Sequence, residues 1–168
     1  RSLGEENNFI YIKEEGNESF FFHPLFRQFL MEKATLTMTE EEISTIHLKA
    51  ADHYLAASQP IKVVPYLLKS GCYKRLSELF QSYGIQLLDD KKQITNLFKS
   101  ISYKACDQYG WIALFSSMMS PGHSPSSLIS LLTIANKNFV KSADQTGELL
   151  SLSQQIFLHS FMSGNHKE

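Results

Sequence analysis

The sequence predicts a mainly α fold in which an N-terminal β-hairpin is followed by an α-solenoid of degenerate helical hairpins. Three observations lead there. Residues 20–23, Phe-Phe-Phe-His, form an aromatic run that suits an extended strand, and the proline at position 24 ends that strand and opens a helix. Beyond residue 37, apolar side chains recur at helical spacing in successive stripes joined by short polar links. The composition, 43% hydrophobic and 20% charged, belongs to a chain that buries a core rather than to a disordered one.

Phe9, Ile10, Tyr11 and Ile12 form the first strand, and the polar residues 14–18, with Gly16 and Asn17 among them, read as the turn of the hairpin. In the second strand, alternation sets Phe20 and Phe22 on one face and Phe21 and His23 on the other. A lone hairpin is marginal in water, so its apolar face needs a cover. A helix from Pro24 to about Ala34 supplies one through Leu25, Phe26, Phe29 and Leu30. The residue before a proline is held extended, and proline is favoured at the first helical position, so His23 is the expected N-cap. An imidazole then stands beside the unbonded N–H groups of Leu25 and Phe26, which is chemically an anion site.

Thr39 and Glu42 make a capping box, and the acidic turn formed by Glu40, Glu41 and Glu42 complements the helix dipole. Ile43, Ile46, His47, Ala50, Ala51, Tyr54 and Leu55 follow as the apolar stripe of this helix, and the alanine pair leaves room for a close neighbour. Gln59 and Pro60 open a shorter helix that ends near Gly71. Pro65 inside it removes a backbone bond at a cost of about 3 kcal/mol, which predicts a kink or a later start. Further helical stripes follow: Leu76, Leu79, Phe80, Tyr83 and Leu87; then Ile94, Leu97, Phe98 and Ile101; then Trp111, Leu114, Phe115, Met118 and Met119. Residues 120–125, with two prolines and a glycine, break the chain there. Leu128, Leu131, Leu132, Ala135 and Phe139 mark the next helix, and Leu149, Leu152, Ile156 and Phe157 the last, before a stop at Gly164. No strict internal period is present, so the repeats are degenerate.

The net charge of −1, with scattered Lys and Arg, carries neither a nucleic-acid footprint nor a polybasic membrane patch. No apolar run approaches the roughly 18 residues of a membrane span, and a secretory signal is not expected from these residues. Cys72 and Cys106 lack CxxC spacing and read as reduced thiols. No GxxxxGK[ST] or GxGxxG phosphate cradle, GxSxG elbow or metal-ligand spacing is present, so the chain is not expected to be an enzyme by itself. His47 and His53 are six residues apart, on different sides of their helix; His123, His159 and His166 lack completing ligands. Tyr109, Trp111, Met118 and Met119 read first as core and otherwise as an adaptable contact surface. His23 is the one site candidate, against the simpler reading that it caps a helix beside Phe21.

The segment Phe-x-x-His-Pro-Leu-Phe-x-x-Phe-Leu over residues 20–30, followed by Ile46-His47-x-x-Ala50-Ala51-x-x-Tyr54 and a run of helices, resembles the STAND class of signal-transduction ATPases. It looks like the middle of their ATP-dependent transcriptional activators of the maltose-regulon-activator and LuxR-like type. The resemblance implies that residues 1–36 are the end of a winged-helix domain, the hairpin being its remnant, and that residues 37–168 are a tetratricopeptide-like helical repeat segment. Pro65 departs from the small or polar residue of that family's pattern. The chain begins at Arg1 and is expected to be a piece of a longer polypeptide.

In that family His23 would contact the phosphates of bound ADP in the resting state, with ATP and ADP as cofactors of the parent protein. The implied partners are the parent's own nucleotide-binding domain, a small-molecule or protein inducer on the helical repeats, and further copies on activation. The implied location is cytoplasmic. The alternative is a helical-repeat adaptor with no nucleotide switch.

Overall fold

The computed structural model describes residues 9–14, 18–89, 91–119 and 124–164. β1 (Ile10–Glu14) and β2 (Glu18–Phe22) pair antiparallel, with Ile10 opposite Phe22 and Glu14 opposite Glu18. The expected turn at residues 15–17 lies outside the described residues. The His23 N–H donates to the Phe9 carbonyl at 2.7 Å and so carries the pairing one residue further. α1 (Pro24–Thr37) then runs past the expected end at Ala34. Its Phe26 ring meets Phe9 at 4.9 Å and Phe22 at 5.9 Å, but Leu25 and Phe29 are exposed and no residue of α1 is buried, so the expected cover of the hairpin rests on Phe26 rather than on all four residues.

Compactness divides the chain into Arg1–Ile43 and Ser44–Glu168. That division falls inside α2 (Glu40–Ala56), beyond the 36/37 boundary expected from the sequence. The capping box at the start of α2 forms with both reciprocal bonds. The Thr39 N–H donates to Glu42 Oε2 at 2.8 Å, and the Glu42 N–H donates to Thr39 Oγ1 at 3.2 Å.

Among its described residues every element of the second unit is a helix, and these helices pack on one another. α3 (Pro60–Ser70) starts at Pro60 and continues through Pro65, so the expected later start does not occur. Proline at this point removes one donor from the ladder but leaves the following turns intact. Gly71 ends the helix in the left-handed conformation at φ 68°, and the Cys72 N–H returns to the Leu67 carbonyl at 3.3 Å. The stacked rings of Tyr54 and Tyr66, 5.5 Å apart, join α2 to α3, and the Ser44 hydroxyl donates to the Ser70 carbonyl at 3.0 Å. Ala51 is fully buried, as its place on the stripe requires.

α4 (Tyr73–Asp89) packs against α3 and buries Leu76, Leu79, Phe80 and Leu87 of its predicted stripe, while Tyr83 is half-buried. The next stripe is different. Ile94 closes the single turn α5 (Lys91–Ile94), and residues Thr95–Ser100 form a 3₁₀ helix rather than a long α-helix. Ile94 and Leu97, and again Phe98 and Ile101, are three residues apart. That spacing eclipses side chains in a 3₁₀ helix, so the same apolar pattern is satisfied by the tighter winding. α6 (Tyr103–Gln108), which the stripes did not reveal, is capped by Ser102, whose hydroxyl accepts from the Ala105 N–H at 3.3 Å.

α7 (Gly110–Met119) is buried along almost its whole length and packs against α4, α6 and α8 (Pro125–Ser142). The Phe80 ring stacks on Phe115 at 4.4 Å and on Phe98 at 5.6 Å, which makes these three rings the centre of the core. Residues 120–123 of the expected breaker lie outside the described residues; Ser124 and Pro125 serve as N-cap and first residue of α8.

α9 (Gln145–Gly164) packs on α8, but not through the predicted stripe. Leu149, Ile156 and Phe157 are 70%, 67% and 65% exposed. The inward face is Gly147, Ser151 and Leu158 at helical spacing, and the two small residues, Gly147 and Ser151, allow a close approach. Asn136 of α8 donates to the Ser151 hydroxyl at 3.2 Å, and that hydroxyl donates to the Glu148 carbonyl at 2.9 Å. Among the described residues no helix is long and apolar enough to cross a membrane.

Candidate functional site

In the first unit His23 caps α1, with φ −51° and ψ 135°, and Pro24 is the first helical residue. The ring Nδ1 accepts from the Leu25 N–H at 3.3 Å. One of the two N–H groups expected to be open at this helix start is therefore taken by the imidazole itself. The consequence is a defined tautomer. A neutral ring whose Nδ1 accepts carries its proton on Nε2, and the His23 side chain is exposed, so an N–H donor is presented to solvent. An open hollow of about 710 Å³ runs along β2 and α1 beside Arg27, Gln28 and Met31, but His23 is not in its wall.

In the second unit the polar centre is Asp144, which precedes α9. Its Oδ1 accepts from the Gly147 N–H at 3.0 Å and so caps the helix, while its Oδ2 accepts from the Trp111 indole at 2.8 Å. Gln81 of α4 adds a longer bond to Oδ2 at 3.4 Å. One carboxylate thus ties the starts of α7 and α9 to α4. Neither Asp144 nor Gln81 was singled out in the sequence, although an aspartate directly before a helical stretch is an N-cap signal.

Beside this node a cleft of about 480 Å³ opens between α4, α7 and α9. Phe80, Leu114 and Phe115 form its buried floor, and Tyr83, Met118 and Leu150 stand at its sides. Of the suggested contact residues, Trp111 and Met119 are core, Tyr109 is half-buried, and Met118 reaches the surface at the cleft.

Among the described residues the remaining histidines and cysteines do not converge on one site. His47 is half-buried 6.1 Å from the Tyr66 ring, and burial first, then the Lys69 charge, push its pKa below the ordinary histidine value. His53 is exposed and lies edge-on to Tyr54 at 5.3 Å. His159 is exposed on α9, and His123 and His166 lie outside the described residues. Cys106 is buried, with Sγ 3.6 Å from Ser116 Oγ, and burial pushes its thiol pKa up. Both cysteines are free thiols. Among the described residues no three His, Cys, Asp or Glu side chains gather in a way that could hold a metal.

Fold and site together define a mainly α, helical-hairpin protein with a histidine presented at a helix start and an apolar cleft between three helices. No known family, curated protein or solved structure matches the chain.

Proposed function

We propose that this chain is the interdomain switch and inducer-binding portion of a cytoplasmic, nucleotide-switched transcriptional regulator of the STAND class. The observation that carries the reading is the presentation of His23. Its ring accepts from Leu25 through Nδ1 and holds an outward Nε2–H at the positive end of α1, where a phosphate oxygen would accept it. The hairpin and α1 suit the end of a winged-helix domain, and the helical hairpins suit a sensing surface.

In the proposed cycle ADP, bound to the parent's nucleotide-binding domain and touched by His23, holds a closed resting form. Inducer on the helical repeats, together with ATP, favours an open form that self-associates. Each ligand shifts that balance only by its differential affinity for the two forms. This portion performs no catalysis and touches no nucleic acid itself; any ATPase belongs to the parent's own nucleotide-binding domain.

The test is the dissociation rate of ADP from the full-length parent carrying His23→Ala or His23→Asn. Asparagine is a good N-cap but too short to reach the phosphate as the imidazole does. Faster release from both variants supports the phosphate contact. Faster release from the alanine variant alone reduces His23 to a cap, and unchanged release from both removes the proposal.

A second reading, a protein-interaction adaptor with no nucleotide switch, is favoured by the uncovered apolar face of α9 at Leu149, Ile156 and Phe157. A phosphate-binding loop encoded upstream in the parent gene separates the two readings, since the adaptor has no use for one.

A further inference from the structure

We propose that the cleft between α4, α7 and α9 binds a small, uncharged, largely apolar molecule. The inference rests on the reading of the helical repeats as the sensing portion and names the kind of inducer they take. Its volume of about 480 Å³ lies within the roughly 300–1,000 Å³ typical of small-ligand sites. The lining decides the chemistry. Aromatic and aliphatic side chains form its floor and sides, its polar members are neutral, and no Lys, Arg, Asp, Glu or His is among them. An ionised ligand would lose its hydration there and find no opposite charge, whereas a neutral one loses little. Gln86 of α4 and Gln154 of α9 are among its neutral polar members, residues that can donate to or accept from a carbonyl or hydroxyl on an otherwise apolar ligand.

The floor of the cleft is closed by a tight helix crossing. α4 and α7 approach through Gly84, where a Cβ would lie 3.0 Å from Phe115 Cζ, so the floor is closed by direct packing. The clefts around Asp144 and along α1 differ in having charged walls, with Lys141 and Asp144 in one and Arg27 and Glu32 in the other.

The experiment uses the 168-residue chain, whose only tryptophan, Trp111, lies in the cleft wall. N-phenyl-1-naphthylamine, a neutral fluorophore, is titrated in, and its emission sensitised by Trp111 is read. The same titration is run with its sulfonated anionic analogue, 1-anilinonaphthalene-8-sulfonate. The neutral probe is expected to bind about tenfold more tightly than the anion, a difference that Kd reads directly. Leu150→Glu, at the cleft, is expected to weaken the neutral probe at least about tenfold. Leu149→Glu, its exposed neighbour outside the cleft, should leave that binding unchanged. Met118→Glu, at the opposite side, serves where Leu150→Glu fails to keep the wild-type circular dichroism.

Absence of sensitised emission, equal affinity for the two probes, or equal effects of the substitutions at positions 149 and 150 overturns the proposal. So does a chain that self-associates and is made monomeric by Leu150→Glu, because the cleft is then an interface between copies. Failure here in a parent that retains ADP removes this site alone. Probe binding in a parent that holds no nucleotide keeps the site and removes the switch.

Discussion

Adding one methyl group at Gly147 should destabilise the second unit measurably. Gly147 is buried at the first turn of α9, and a Cβ built there would lie 2.4 Å from both Cδ1 and Cε1 of Phe139 and 2.7 Å from Cγ. Carbon atoms sit comfortably at about 3.5–4.0 Å, so the ring must retreat by roughly 1 Å or the helices must part. The ring has little freedom to do so. A Cβ on Gly110 would be 2.7 Å from the same ring, and Trp111 lies against it edge to face at 5.2 Å. Overpacking of this kind costs about 1–3 kcal/mol or more, and the helix gains at most about 1 kcal/mol from alanine in place of glycine.

Gly147→Ala is therefore expected to lose about 2 kcal/mol of unfolding free energy, or roughly 8 °C in Tm for a unit of this size. Urea denaturation followed by far-ultraviolet circular dichroism and by the fluorescence of Trp111 measures it. The cause is then isolated by repeating the substitution in a Phe139→Leu background, where the flexible and smaller side chain should remove most of the penalty. The coupling energy expected from that cycle is at least about 1 kcal/mol. A Gly147→Ala chain as stable as wild type, or a penalty that persists unchanged with Phe139→Leu, refutes the close crossing of α8 and α9.

Other substitutions and conditions test the remaining contacts. Asp144→Ala removes the α9 cap and leaves the Trp111 indole without its acceptor, for an expected loss of about 2–4 kcal/mol in urea; Asp144→Asn should recover part of it. Stability should rise with pH through the region just below the ordinary histidine pKa, because burial disfavours protonated His47 in the fold while the unfolded chain binds the proton freely. That contribution is fully present above the unfolded pKa and is lost as pH falls through the folded one, and His47→Gln should flatten the profile measured by urea titrations at several pH values. Under native conditions iodoacetamide should alkylate half-buried Cys72 well before Cys106, as peptide mass spectrometry of a time course would record; simultaneous labelling would contradict the burial of Cys106.

The parts of this fold that were legible in the sequence are those decided by neighbours along the chain. The Thr39 and Glu42 capping box and the His23-Pro24 helix start need only residues within one turn, and both formed. The stripes of α4, α7 and α8 were legible because large apolar residues there also face the core. In α9 the two criteria part company. The side facing α8 is built from Gly147 and Ser151, which allow close approach, so Leu149, Ile156 and Phe157 are turned outward although all three are large apolar residues.

The 3₁₀ helix at Thr95–Ser100 was missed because spacing of three residues serves both windings, and only the surrounding packing selects one. At the candidate sites, His23 was visible as a cap, but its bond to Leu25 was not. The cleft was invisible, since Tyr83, Met118 and Leu150 come from three helices that no local signal brings together.

The central claim, that these helices report to a nucleotide switch, is tested most directly by denaturing the full-length parent as purified and identifying what it releases. Near-stoichiometric ADP is the result the account predicts. A parent that releases no nucleotide, and takes up neither ADP nor ATP when these are supplied, contradicts it.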